Sequence, residues 1–211
     1  MHQATARLLR EVRACTLCRA QLPLGPRPVF QFHPQARILI AGQAPGRKVH
    51  ERGVPFLDAS GDRLRDWLGI DSSVFYDPQR IALLPMGFCY PGTGASGDLA
   101  PRPECAATWH ARLLARLVEV RLTLAVGRYA LAWHLGDSGR PTLTETVRAW
   151  REYGPTLVPL PHPSPRNNLW LKRNAWFERE LLPELRERVR QVLNQTPGAP
   201  GEKRLNKCSV T

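Results

Sequence analysis

The chain has 211 residues, of which 43% are apolar. This composition supports one globular domain with its own core and excludes a disordered chain. Its 30 basic residues outnumber 18 acidic ones and give a formal net charge of +12. This charge favours a polyanionic partner such as nucleic acid, although a GC-rich genome produces the same excess of arginine. No apolar run approaches the roughly 20 residues that span a bilayer, and residues 1–13 lack the continuous apolar stretch of a secretory signal, so we expect a cytoplasmic protein without a membrane segment.

Helical and strand patterns alternate along the chain. A helix is predicted over residues 3–20, and a proline-rich loop follows over 21–35. Short aliphatic runs predict buried strands at 37–41, 80–84, 122–126 and 157–160. Further helices are predicted at 58–69, at 104–119, from 127 to about 135, and over most of 169–193, where Pro183 should bend or break the last one. The alternation predicts a three-layer α/β/α single domain with a central, mainly parallel four-stranded sheet.

The C-terminal end of the chain differs in composition from the rest. Residues 194–211 are rich in glycine, proline and lysine, so we interpret them as a flexible C-terminal tail and residues 1–193 as the domain. Cys208 lies in this tail and is interpreted as a free thiol. Residues 136–155 show no periodic pattern and receive no prediction.

Four cysteines precede the tail. Cys15 and Cys18 form a C-x2-C pair, while fifteen residues separate Cys89 from Cys105. A tight pair and two remote cysteines can ligate one tetrahedral metal ion or one cubane cluster, and structural disulfides are disfavoured in a cytoplasmic protein. On spacing alone, zinc, an iron–sulfur cluster and unligated buried cysteines all remain open.

Several motifs follow one another in a characteristic order. The C-x2-C pair precedes Gly-Gln-Ala-Pro-Gly at 42–46, Gly-Val-Pro-Phe at 53–56, the second cysteine pair, and His-Pro-Ser-Pro at 162–165. This order resembles the uracil-DNA glycosylase superfamily, and most closely its iron–sulfur branch, family four. The final His-Pro-Ser-Pro-Arg-Asn at 162–167 is similar to the motif of the single-strand-selective monofunctional uracil-DNA glycosylases. The resemblance implies a 4Fe-4S cluster, in preference to zinc, on Cys15, Cys18, Cys89 and Cys105.

The resemblance also implies a function in DNA repair. Enzymes of this kind flip uracil or another deaminated base out of DNA and hydrolyse its N-glycosidic bond, so a monofunctional glycosylase is expected, acting as a monomer. His162 would donate a hydrogen bond to the O2 atom of the departing base, where negative charge develops. Gln43 is the second residue implied in catalysis; it belongs to the loop 42–46, whose backbone amides would approach the base and the attacking water.

Further residues are implied in binding the base and the DNA. Phe56 would stack on the flipped base, as aromatic side chains do. Ser164 would contact the DNA phosphates, and Arg166 would either fill the gap left by the flipped nucleotide or contact a phosphate. The base pocket is expected to comprise Gly42, Ala44, Phe56 and Pro85.

Three positions depart from the family pattern. Ala44 stands where family one has Asp, and Gln43 stands where family four has Glu; an amide can orient water but cannot take its proton. Pro85 stands where family four has an Asn that reads the base edge. Asp58 and Glu51 are nearby carboxylates that would replace the missing acid. Two alternatives therefore stay open. One is a catalytically weak or inactive iron–sulfur protein of the same fold that binds nucleic acid. The other is an α/β hydrolase of another kind that is stabilised by a zinc ion.

Overall fold

A parallel sheet forms the centre of the molecule. The structure is a computed structural model that describes residues 3–95 and 97–195. Its strands are β1 (Ile38–Ala41), β2 (Ile81–Leu83), β3 (Thr93–Gly94), β4 (Gly97–Asp98), β5 (Leu122–Val126) and β6 (Leu157–Leu160). Four of them pair in parallel in the order β2-β1-β5-β6, while β3 and β4 form a separate antiparallel hairpin. The four central strands are aliphatic and almost wholly buried, as parallel strands covered on both faces must be.

Helices cover both faces of this sheet. They are α1 (Gln3–Arg13), α2 (Arg47–Arg52), α3 (Ala59–Leu68), α4 (Ser72–Phe75), α5 (Pro103–Leu114), α6 (Arg128–Leu135), α7 (Leu143–Arg148), α8 (Asn168–Arg173) and α9 (Leu182–Asn194). Within β1, Ile38 and Ile40 pack into one buried cluster with α3 and α9, whereas Leu39 packs into a second cluster with α1 and α5. The predicted three-layer α/β/α fold is therefore confirmed. Among the described residues, no helix is long and apolar enough to cross a membrane.

The ends of several helices differ from those predicted. The first helix ends at Arg13 instead of residue 20, and the helix after Pro103 ends at Leu114 instead of residue 119. The last helical region is divided into α8, a π-helical turn (Phe177–Leu181) and α9, with Pro183 in the first turn of α9, where its missing N–H leaves no hydrogen bond unmade. Residues 196–211 of the predicted tail, including Cys208, lie outside the described residues.

The start of α3 supports a backbone conformation that is unusual at Phe56. Asp58 caps the helix by accepting the Gly61 N–H at 3.0 Å. Phe56 has a φ of +56°, which is uncommon for a residue with a side chain, and its carbonyl accepts the Tyr76 hydroxyl at 3.2 Å. A Cβ on Gly61 would lie 1.7 Å from that carbonyl oxygen. Glycine is therefore required at position 61 for Phe56 to keep this position.

We expect Gly61→Ala to destabilise the protein by at least about 2 kcal/mol, because the added methyl group forces the Phe56 backbone away from α3. Gly139→Ala is the matched control: its Cβ would meet its nearest neighbour, the Gly136 carbonyl oxygen, at 3.4 Å, so its effect should stay within about 1 kcal/mol. Urea denaturation of both variants measures the difference. Equal stability of Gly61→Ala and the wild type would show that this contact is not structurally required.

Candidate active site

A cavity of about 560 Å³ opens at the carboxyl ends of the parallel strands. The loop that follows β1, residue 85 after β2, and residues 162 and 164–167 after β6 all line it. Because parallel strands end at the same edge of a sheet, residues far apart in sequence meet there. The cavity brings together all eight residues predicted for catalysis, base binding and DNA binding: Gly42, Gln43, Ala44, Phe56, Pro85, His162, Ser164 and Arg166.

Local hydrogen bonds fix the orientation of the His162 side chain. The Ser164 backbone N–H donates to His162 Nδ1 at 3.2 Å, so the neutral ring carries its proton on Nε2 and can donate from there. The Asn167 side chain donates to the His162 carbonyl at 2.7 Å. Burial lowers the pKa of His162, while the nearby carboxylates of Asp58 and Asp98 raise it. Since burial is the larger effect, the ring is neutral at pH 7.

The loop that carries His162 is anchored by arginine and serine side chains. Arg63, on α3, donates to the Ser164 carbonyl at 3.1 Å, and the Ser164 hydroxyl accepts the Arg166 backbone N–H at 3.3 Å. The guanidinium of Arg166 packs against Gly97 in the hairpin, where an added Cβ would lie 2.0 Å from Nη1. Arg166 therefore reaches from this loop to β4, at the edge of the cavity.

The Phe56 ring lies over the start of the first loop. A Cβ on Gly42 would lie 3.2 Å from the tip of this ring, so glycine at position 42 allows the close approach. The ring also packs edge to face against Phe75, with ring centroids 6.1 Å apart. An aromatic face is thus held at the cavity by contacts on two sides.

The Gln43 side chain is engaged in a contact that the sequence did not predict. Its amide nitrogen donates to the carbonyls of Leu99 at 3.0 Å and Asp98 at 3.4 Å, so it ties the first loop to the hairpin. Pro85 lines the cavity without a backbone N–H, and its carbonyl is 3.0 Å from Nε2 of the buried His110. No amide at position 85 is available to read a base edge.

The structure separates the two carboxylates proposed from sequence and adds a third. Asp58 lines the cavity, whereas Glu51 does not and forms an exposed ion pair with Arg47 at 3.0 Å. Asp98 also lines the cavity, and sequence reasoning missed it. The glycines of its long loop, which permit a tight hairpin, were the only signal that pointed to it.

The four cysteines before the tail line a second, small cavity between the segment that follows α1 and the start of α5. The indole N–H of Trp109 donates to Cys15 Sγ at 3.3 Å, and the Phe88 backbone N–H donates to Cys105 Sγ at 3.3 Å. Burial raises the pKa of the Cys105 thiol to about 12. Across residues 3–95 and 97–195, no group of three or more His, Cys, Asp or Glu side chains is arranged to hold a metal ion.

Comparison with protein families adds an independent finding. The model of the uracil DNA glycosylase superfamily matches residues 29–186, which is more than half of the chain. The chain belongs to this superfamily. Membership implies a DNA-repair glycosylase, a hydrolase whose partner is DNA. The match includes every residue that lines the larger cavity but begins after Cys15 and Cys18.

We expect His162 to be neutral, with its proton on Nε2, because the Ser164 N–H occupies Nδ1 and burial disfavours the charged ring. Long-range ¹H–¹⁵N NMR of the imidazole, followed by a pH titration, measures both properties. The titration midpoint should lie below the ordinary histidine value of about 6.5. A proton on Nδ1, or a midpoint above that value, would contradict the hydrogen bond from Ser164.

Proposed function

We propose that the chain is a monofunctional uracil-DNA glycosylase, with other deaminated bases as further substrates. The observation that carries the proposal is the arrangement at His162, whose Nε2–H has no acceptor among the described residues and lines a cavity that also holds the Phe56 ring. Hydrolysis of an N-glycosidic bond produces an anionic base, and a fixed donor aimed at that charge is the strongest contribution a site can make.

The cleavage step follows from these groups. The flipped base stacks on Phe56 and places its O2 atom against His162 Nε2. As the C1′–N1 bond breaks, its electron pair passes to the base, and the hydrogen bond from His162 stabilises the resulting charge. No lysine is among the residues that line the described cavity, so water attacks C1′ and no Schiff base forms.

Asp58 is the carboxylate that we assign to this water. It lines the cavity, and one of its oxygens accepts the Gly61 N–H as the cap of α3, which leaves the other oxygen to accept a hydrogen bond from water. As the water attacks C1′, its proton passes to this oxygen. Gln43 is less suited to this role because its amide nitrogen is bound to the hairpin. Arg166 and Ser164 contact the phosphates at the edge of the cavity.

A second candidate is a protein that binds nucleic acid without cleaving it. The absence of an amide at Pro85 and the engagement of Gln43 in a structural contact favour it. The two candidates differ in base release, because binding without catalysis leaves the glycosidic bond intact.

His162→Ala should lower base release by about 10²- to 10³-fold, the usual effect of removing a donor aimed at developing charge. A labelled oligonucleotide with a single uracil, in single- and double-stranded form, measures it. His33→Ala is the matched control, since His33 Nδ1 also accepts a backbone N–H two residues on, from Gln35 at 3.3 Å, and lies outside the cavity. Full release by His162→Ala would overturn the assignment, and no release by a folded wild type that binds DNA would favour the second candidate.

Gln43→Glu should lower base release, although family four carries Glu at this position. A carboxylate cannot donate to the Leu99 and Asp98 carbonyls and would repel them, so the hairpin would move away from the first loop. The measurement is single-turnover release by Gln43→Glu, Gln43→Ala and the wild type. Higher activity in Gln43→Glu than in Gln43→Ala and the wild type would show instead that position 43 acts on water.

We further propose that Cys15, Cys18, Cys89 and Cys105 hold a 4Fe-4S cluster. The residues fit such a group because all four line one cavity and two of the sulfurs accept N–H hydrogen bonds, a feature that tunes cluster thiolates. The cluster would join the segment after α1 to the loop before α5, a structural role, since hydrolysis transfers no electron.

Cys89→Ala should abolish the brown colour and lower the yield and thermal stability, while the remaining folded protein keeps its base-release activity. Iron content, the visible spectrum and the melting temperature test this, with Cys208→Ala as the control that keeps the colour. A colourless wild type purified without oxygen would contradict the cluster. A stable but inactive Cys89→Ala would contradict its structural role.

A further inference from the structure

A carboxylate occupies the space beside Gly46, the last residue of the first loop. A Cβ placed on Gly46 would lie 3.2 Å from Oδ2 of Asp98, and both residues line the larger cavity. An acidic side chain from the hairpin β3–β4 therefore forms the wall of the cavity at this point.

Contacts on several sides hold Asp98 there. Gln43 donates to the carbonyls of Asp98 and Leu99, and the Thr93 hydroxyl donates to Asp98 Oδ1 at 3.3 Å. Arg166 packs against the same hairpin. One carboxylate oxygen is thus bound within the hairpin, while Oδ2 lies beside Gly46 and has no hydrogen-bond donor among the residues that the structure describes, so it can accept a hydrogen bond from a ligand.

The chemistry of the cavity makes this acceptor selective. An ionised carboxylate only accepts hydrogen bonds, whereas His162 Nε2 donates one. Deamination turns the acceptor nitrogen at position 3 of cytosine, or position 1 of adenine, into an N–H donor that adjoins a carbonyl. Uracil and hypoxanthine therefore offer a carbonyl to His162 and an N–H to Asp98, whereas their parent bases cytosine and adenine would place a lone pair against the carboxylate. Thymine and guanine offer the same two groups, so this contact separates uracil from cytosine and hypoxanthine from adenine.

We infer that Asp98 is a specificity-determining residue that accepts a hydrogen bond from the ring N–H of the flipped base. The inference rests on the proposed glycosylase function and deepens it, because it assigns the reading of the base edge that Pro85 cannot perform. Gln43 acts through Asp98 as a positioning residue.

The test compares release of uracil with release of 3-methyluracil, which lacks the ring N–H, from otherwise identical single-stranded oligonucleotides. The wild type should prefer uracil by about 100-fold in kcat/KM, the discrimination expected from a hydrogen bond to a charged group. Asp98→Leu, which fills the space without an acceptor, should reduce this preference to within about threefold. Asp98→Asn, which keeps an acceptor oxygen, should retain most of it.

Asp137→Asn controls for the loss of one negative charge, because Asp137 lies in the 3-10 turn Gly136–Ser138 and does not line the cavity. This variant should leave the preference for uracil over 3-methyluracil unchanged. A merely structural role for Asp98 would lower release of both bases equally, so an unchanged preference in Asp98→Leu overturns the inference. If the wild type releases neither base, the proposed function fails. The preference is then measured as the ratio of binding affinities for the two oligonucleotides, and an unchanged ratio in Asp98→Leu again overturns the inference.

Discussion

Parallel pairing of the four central strands is the constraint on which the site depends. Each strand is buried on both faces, so its register cannot shift without exposing aliphatic side chains, and the residues that follow the strands are fixed relative to one another. The pairing of β1 with β2 extends beyond their ends, because the Met86 N–H donates to the Gly42 carbonyl at 2.9 Å. Gly42, Pro85 and His162 consequently meet at one edge, although each follows a different strand.

Charge is distributed unevenly between the surface and the cavity. The chain carries a net charge of +12, which attracts the phosphates of DNA over a distance of about 10 Å at moderate salt. The cavity itself contains the carboxylates of Asp58 and Asp98, which repel phosphates at short range. In the proposed complex this arrangement would keep the DNA backbone on the rim, near Arg166, and admit a neutral base to the interior.

The sequence predicted the strands and the convergence of the motif loops well, because aliphatic runs mark buried strands and parallel strands end together. It could not predict the position of Asp98, which depends on a two-residue pairing in a long glycine-rich loop. It also could not reveal that Gln43 binds a distant carbonyl, since an amide in a motif carries no information about its partner. The helix that was expected to continue to residue 20 ends at Arg13, ahead of the turns that contain Cys15 and Cys18.

The central claim is that these loops form a pocket for a flipped base, with His162 as donor. A crystal structure with an oligonucleotide containing 2′-fluoro-2′-deoxyuridine, whose glycosidic bond resists hydrolysis, tests it most directly. We expect the uracil to lie in the cavity against the Phe56 ring, with its O2 atom about 3 Å from His162 Nε2. A uracil that remains stacked in the DNA, or that enters the cavity with His162 Nε2 bonded elsewhere, would contradict the account.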